Sequence, residues 1–438
     1  MGEWRADYER KLMTAEEAVK VVRSGDKVAF GRGREPEALG LALAARAAEL
    51  RDVEVFIPTP ALDFGWYDSG FEESFRIKIS YAFPRGVVRE WFDERRGDYL
   101  VGSIYSSVRP QFMDSDEKTV DVLLIELSPP DEHGYCSFGT SLWDKKHQVR
   151  RARTVLAEIN DRLIRTYGDN YVHVSEIGAF VEHSRGSGWG IKPPQAPPEA
   201  AAICEHLKPF VRDGDTIQFG AGTVSEALPS LGLFAGRFDL GVHTEMTARG
   251  IVALVREGVV NGKRKTLHRG KVVATAVGGM REDLQFINQN PIFEVYEQSY
   301  VSDPRTIAAN DNMLCVNMAL AVDLTGQISA ESLGHRMYSG SGGQPAFAIG
   351  AQLSRGGRYF VVLPSATSDG AQSRIVAHFE PGTIVTVPRT LADYVVTEHG
   401  VAALRGKSVR ERAEALIAIA HPDHRAGLSR EAQRLYWP

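Results

Sequence analysis

Residues 22–39 return at residues 211–228, 189 positions later and without a gap. Ten of the eighteen positions are identical, among them Gly25/Gly214, Asp26/Asp215, Gly31/Gly220, Gly33/Gly222 and the closing Glu-Ala-Leu. Solenoid units run to roughly 20–50 residues, so a period of this length is that of a whole domain. Chance likeness between glycine-rich loops is the alternative, but it rarely keeps register over such a span. Each copy reads as a turn, a buried strand, a Gly-x-Gly loop and a helix. The chain is therefore expected to contain two similar α/β domains from an internal duplication.

At 438 residues the chain exceeds the size at which one hydrophobic core keeps growing. Its net charge of −5 and the absence of a long basic run argue against a nucleic-acid partner. The cluster Lys263, Arg264, Lys265, Arg269 and Lys271 is short and reads as a solvated face. Apolar runs such as 122–125 and 359–363 are strand-length, too short to span a bilayer, so no membrane is expected. The start, Met1-Gly2-Glu3-Trp4-Arg5, is charged and lacks the apolar core of a signal peptide. Three scattered cysteines, Cys136, Cys204 and Cys315, show neither zinc spacing nor a disulfide framework. They suit a reducing cytoplasm and suggest no metal site.

Glycine and proline crowd Ser184-Arg185-Gly186-Ser187-Gly188-Trp189-Gly190 and the prolines at 193, 194, 197 and 198. Neither a helix nor a central strand continues through such a stretch, which therefore reads as a linker. The expected division is 1–185, a linker at 186–199, and 200–438. Within each copy, β-branched runs at 53–57, 120–127, 216–219, 271–277 and 359–363 read as strands. Segments 16–22, 37–50, 199–211 and 410–419 carry helical patterns. Strands interleaved with helices predict mainly parallel sheets covered on both faces. Ligands then collect at the carboxyl ends of the strands.

Four segments carry candidate chemistry. Gly220, Ala221, Gly222, Thr223 and Val224 lie between the strand ending at Phe219 and an expected helix. Bare amides at a helix N-terminus make an anion or oxyanion site, although a tight turn explains the loop equally well. It is neither a Walker loop nor a complete Rossmann fingerprint. Gly241-Val242-His243-Thr244-Glu245-Met246 follows the apolar segment 238–240, read as a strand. A carboxylate is already ionised at pH 7; to act as a nucleophile it needs partial desolvation and nearby amides. Tyr338-Ser339-Gly340-Ser341-Gly342-Gly343-Gln344 permits close backbone approach to a ligand, or is a surface loop. Thr397-Glu398-His399-Gly400 reads either as a helix N-cap or as a supporting carboxylate. Cys136 beside His133 reads as part of a packed loop rather than as a thiol nucleophile.

Taken in order, these segments resemble the acetyl-CoA hydrolase/transferase family, in its 4-hydroxybutyrate (butyrate-type) CoA-transferase group. Further matching stretches are Ser128-Pro129-Pro130-Asp131-Glu132-His133-Gly134-Tyr135-Cys136-Ser137, Arg165-Thr166-Tyr167-Gly168-Asp169 and Val322-Asp323-Leu324-Thr325-Gly326-Gln327. Ser373-Arg374-Ile375-Val376 and Ala420-His421-Pro422 extend the likeness to the end of the chain. The resemblance implies a class I CoA-transferase-like fold and places the attacking glutamate of the Gly-x-His-Thr-Glu-Met motif at Glu245. It implies a mixed anhydride, then a glutamyl-CoA thioester, then attack by an incoming carboxylic acid. Gly342 and Gly343 would give amides and Asn310 a side-chain donor to the tetrahedral centres. Gly220, Ala221, Gly222, Thr223, Val224, Gly340 and Gln344 would line the CoA arm, with Glu398 in support. Arg32, inside the first Gly-x-Gly, would reach a second carboxylate on a dicarboxylic acid, or is an exposed loop arginine.

The resemblance implies no tightly bound cofactor, CoA as substrate and covalent intermediate, and acyl-CoA and small carboxylates as partners; because most soluble oligomers are symmetric assemblies of one chain, a homodimer or higher homo-oligomer is expected. Three positions depart from the family pattern: Ser341 between the glycines, Ala346 after Gln344-Pro345, and Ser368 where a lysine is common. The leading expectation is a ping-pong CoA-transferase. The alternatives are an acyl-CoA hydrolase on the same site, or a catalytically silent CoA-binding homologue.

Overall fold

Gly25 and Gly214 both adopt a left-handed backbone, at φ 81° and 80°, and turn the chain into a buried strand. Glycine is the residue that enters this region without a Cβ penalty. Behind them Asp26 and Asp215 do the same work. Their carboxylates accept the backbone N–H of Arg23 at 2.8 Å and of Arg212 at 2.7 Å. Asp26 also pairs with Arg153 at 3.2 Å, and Asp215 pairs with Arg358. These repeated contacts give the sequence repeat a physical basis. The computed structural model describes residues 3–80, 86–101, 119–186 and 195–437, and it divides into two compact units.

The first unit is built on a 7-stranded sheet. Its strands are β1 (Lys27–Phe30), β2 (Val53–Ile57), β3 (Phe75–Ile79), β4 (Asp98–Tyr99), β5 (Val120–Leu127), β6 (Ala152–Ile159) and β7 (Ala179–Glu182). The order is β7-β6-β5-β1-β2-β3-β4, with every pairing parallel. Helix α1 (Glu37–Ala44) follows the loop Gly31-Arg32-Gly33. Phe30, Phe64, Trp66 and Phe75 meet edge-on or tilted in the core. Each such buried side chain contributes about 1.5–3 kcal/mol.

The second unit places β8 (Thr216–Phe219) at the centre of its sheet, flanked by β9 (Gly241–Met246) and, on the other side, β11 (Met313–Met318). Beyond β9 lies β10 (Val272–Ala276); beyond β11 lie β12 (Arg358–Val362), β13 (Tyr394–Thr397) and β14 (Gly400–Ala403). β8, β9, β11, β12 and β13 run parallel, and β14 closes an antiparallel edge. Every residue of β8 is buried, as expected of a strand covered on both faces. The mixed α/β architecture with mainly parallel sheets is the expected one.

Several boundaries differ from expectation. The compact units assign Thr275–Tyr300 to the first unit, although it falls within the expected 200–438 segment. Backbone bonds account for this: Val277 N–H donates to Thr140 at 2.8 Å, Gln289 N–H to Arg165 at 2.8 Å and Asp169 N–H to Val295 at 3.0 Å. Residues 187–194 of the expected linker lie outside the described residues. The helix read at 37–50 stops at Ala44 and continues as turns, where the Arg46 side chain takes the carbonyls of Val19 and Val22.

Candidate functional site

Glu245 is the penultimate residue of β9 and is half-buried at the carboxyl edge of the second unit's sheet. The motif itself forms the strand, so Glu245 does not lie in a loop after a strand at 238–240. Side chains alternate across a strand, which puts His243 and Glu245 on one face. One carboxylate oxygen, Oε2, accepts the backbone N–H of Gly343 at 3.0 Å. The other, Oε1, accepts the Ser302 hydroxyl at 2.8 Å.

Gly343 caps helix α2 (Gln344–Leu353), and Gly342 before it takes φ 54°, which sharpens the entry to the helix. A Cβ on Gly343 would stand 2.5 Å from the Glu245 carboxyl carbon, so only glycine lets the amide meet the carboxylate. Upstream, the N–H groups of Tyr338 and Ser339 both bond the Glu331 carbonyl, at 2.7 and 3.1 Å, and Gly340 is buried.

The loop 220–224 leaves β8 at the same edge. Gly220 N–H bonds Val316 at 2.9 Å, and a Cβ there would lie 2.3 Å from Asn317 Oδ1. Ala221 and Thr223 are exposed, Gly222 N–H donates to Glu226 Oε1 at 3.1 Å, and Val224 is fully buried. The expected helix is absent here: only a single 3₁₀ turn, Ser225–Ala227, follows. One turn carries no useful macrodipole, so any anion affinity of this loop comes from its individual amides. Val224 contributes packing rather than a side chain for a ligand.

Two expected site residues have other work. Asn310 precedes β11, whose Met313 pairs with Thr216, the residue that also pairs with Gly241. It therefore sits before the amino edge of the sheet, at least four residues of strand from Glu245, or more than about 13 Å. There its Nδ2 donates to the Thr306 carbonyl at 3.0 Å and closes a helix end. Asn310 does not serve Glu245. Gln344 is buried in the first turn of α2, and its Nε2 donates to the Tyr359 hydroxyl at 3.0 Å, a core contact rather than one to a ligand.

Glu398 is neither in a helix N-cap nor in any helix. It forms, with His399, the two-residue turn between β13 and β14. Its carboxylate accepts the Ser365 N–H at 3.0 Å and the Ser365 hydroxyl, with His399 Nε2 at 3.4 Å. Ser365 leaves β12, so Glu398 belongs to the same carboxyl edge as Glu245. Arg32, in the first unit, is buried rather than exposed: it donates to Gln298 Oε1 at 3.1 Å and lies 5.3 Å from the Trp143 ring centre. Burial pushes the Cys136 thiol up to about 12, which agrees with a packed loop.

The sequence reading missed two residues. Ser302 lies in no recognisable motif. Asn317 carries a signal in hindsight, being a polar side chain in the otherwise apolar, buried run of β11. Its amide pairs reciprocally with that of Gln218, at 3.1 and 3.2 Å, beside Gly220. Among the described residues no group of three or more His, Cys, Asp or Glu is arranged to hold a metal ion. None of the described helices is long and apolar enough to cross a membrane.

The N-terminal domain of the acetyl-CoA hydrolase/transferase family matches residues 2–186, and its C-terminal domain matches residues 279–432. A 4-hydroxybutyrate coenzyme A transferase of Clostridium kluyveri is 38% identical over 99% of this chain and 100% of its own length. The chain belongs to the acetyl-CoA hydrolase/transferase family. A succinyl-CoA:cyclohexane-1-carboxylate CoA transferase of Geobacter metallireducens is a further relative, 36% identical over 99% of this chain and 97% of its own. Among solved structures of similar fold, RipA from Yersinia pestis superposes with a TM-score of 0.91 at 32% identity, covering 100% of both chains. Glu245 lies between the two matched segments and the 338–344 loop lies within the second; far apart in sequence, they meet in the fold through the Gly343 amide.

Proposed function

We propose that this protein is a CoA-transferase, moving CoA from an acyl-CoA to a small carboxylic acid by a ping-pong route through Glu245. The carboxylate attacks the thioester carbonyl and expels CoA thiolate, leaving a mixed anhydride. The thiolate then attacks the glutamyl carbonyl, releasing the first acid and leaving a glutamyl-CoA thioester. An incoming carboxylate reverses both steps. Each tetrahedral centre places negative charge on an oxygen that needs a preorganised donor, and loss of one such donor typically costs about 10²–10³ in rate.

The observation that carries this reading is the Gly343 amide 3.0 Å from Glu245 Oε2, at a glycine whose missing Cβ makes the contact possible. The CoA-transferase names of full-length relatives support the same reaction class. The loop 220–224, with its exposed Ala221 and Thr223, would lie along the CoA arm, and Glu398 would support the edge through Ser365. Binding energy from that long, non-reacting arm can be spent on the reacting thioester.

The test is intact mass spectrometry after mixing with a short-chain acyl-CoA and borohydride. A reduced side chain at Glu245 is expected; unmodified protein despite measurable turnover would defeat the covalent route. Acyl-CoA consumption that is equally fast with and without an added carboxylate would instead make the enzyme a hydrolase on the same site.

A further inference from the structure

The segment entering the second unit at Val301 touches β9 twice. His243 Nε2 lies 2.8 Å from the Val301 carbonyl, and the next residue, Ser302, donates its hydroxyl to Glu245 Oε1. His243, Val301 and Ser302 are each fully buried. We infer that Ser302 is a catalytic hydrogen-bond donor that selects Oε1 of Glu245 as the attacking oxygen, and that His243 positions it through the Val301 carbonyl. The inference rests on the glutamyl route proposed above and assigns the two carboxylate oxygens to different roles within it.

The two donors differ in freedom. The Gly343 N–H belongs to a backbone fixed at the start of α2, so the oxygen it holds, Oε2, stays in place. The Ser302 hydroxyl turns about a single bond and can release Oε1. A lone pair on Oε1 therefore forms the new C–O bond to the acyl carbon while the C–S bond breaks and its electron pair leaves on CoA thiolate. When the thiolate adds to the glutamyl carbon, charge gathers on Oε2 against the Gly343 amide. The bond from that carbon to Oε1 then breaks, and Oε1 departs in the released carboxylate, where the Ser302 hydroxyl meets its developing charge. No proton is gained or lost overall.

His243 suits a permanent holding role. Burial, reinforced by the nearby Lys265 charge, pushes its imidazole down to about 3. The ring is thus neutral, and since a carbonyl only accepts, Nε2 must carry the hydrogen. His243 is a clamp on the Val301 carbonyl, not a general base.

The test compares Ser302→Ala and Ser302→Thr with wild type, using a short-chain acyl-CoA that wild type turns over. Thioester formation is followed by mass spectrometry, and kcat and KM are measured separately. Ser302→Ala should slow thioester formation about 10- to 100-fold, the scale of a hydrogen bond to a charged group, with KM for acyl-CoA within about two-fold. Ser302→Thr, which keeps the hydroxyl, should recover most of the loss. Adding His243→Gln to Ser302→Ala should slow the reaction no further. Ser302→Ala within about two-fold of wild type overturns the assignment, as does a Thr variant as slow as the Ala variant while both melt near wild type. Absence of thioester in wild type itself would instead overturn the glutamyl route, and this assignment with it.

Discussion

Gly343→Ala isolates the contact on which the proposed chemistry depends. Gly343 takes φ −77° and ψ −2°, a conformation open to any L-residue, so alanine adds no backbone strain. The new Cβ would meet the Glu245 carboxylate, 2.5 Å from Cδ and Oε2 and 2.7 Å from Oε1. Carbon atoms in contact sit at about 3.5–4.0 Å, so the carboxylate must retreat by about 1 Å. That retreat stretches the 3.0 Å bond from the Gly343 amide beyond useful length. A misplacement of about 1 Å can cost 10²-fold, and loss of an oxyanion donor 10²–10³-fold. The variant is expected to lose at least about 100-fold in kcat for transfer from acyl-CoA to a carboxylate. Because Glu245 is half-buried and can swing toward solvent, its melting temperature should stay within a few degrees of wild type. Steady-state transfer assays beside thermal unfolding separate the two effects. A folded variant keeping a third or more of wild-type kcat would refute the argument that this amide serves the reacting carboxylate.

Glu245→Gln should fold normally, bind acyl-CoA and form no borohydride-sensitive adduct; thioester found on another residue would move the nucleophile elsewhere. Asn310→Ala should leave kcat/KM within about two-fold and lower stability by about 1 kcal/mol, through the lost bond to Thr306. A hundred-fold loss of kcat there would contradict its placement at the amino edge. His243 is held neutral down to about 3, whereas an exposed histidine binds a proton near 6.5. Unfolding therefore takes up a proton between these values, so its contribution to stability is full above about pH 6.5 and drains as pH falls. About 2 kcal/mol of it should be gone by pH 5. Glu35 and Glu297, both raised to about 7 by burial, work in the opposite sense over the same range. The difference between wild type and His243→Gln isolates the histidine: the variant's denaturation midpoint should fall less between pH 7 and 5, and parallel curves would reject the idea.

Features governed by local pattern were legible in the sequence. The strands 53–57, 120–127 and 216–219 appear with the expected bounds, because β-branched runs between turn residues specify little else. Glu245 and the Gly343 amide beside it were legible only through ordered motifs, since no local rule joins residues so far apart in sequence. What failed was whatever depends on placement across the sheet. Asn310 offered the right functional group, but the parallel register carries it to the amino edge. The helix expected after Gly222 is replaced by a turn because Ser225 bonds back to the Gly220 carbonyl at 2.7 Å. Ser302 was invisible because its role is created by a fold contact, and a lone serine carries no pattern of its own.

The sequence repeat shows why one carboxyl edge holds the groups the proposed chemistry needs and the other does not. Lys27 pairs with Glu54 as Thr216 pairs with Gly241, and Lys27 and Thr216 occupy the same place in the repeat. Counting along the neighbouring strand, the first unit's counterpart of Glu245 is Pro58, which has no carboxylate. The helix leading into β12 begins after Gly343, and the helix leading into β6, Lys145–Arg151, begins after Asp144. An anionic side chain at that place opposes a second carboxylate instead of offering it a bare amide. Nucleophile and donor are thus missing together in the first copy, as expected if they serve only as a pair. Installing Pro58→Glu alone should accordingly create no second thioester, because the glycine whose amide would receive it is not there.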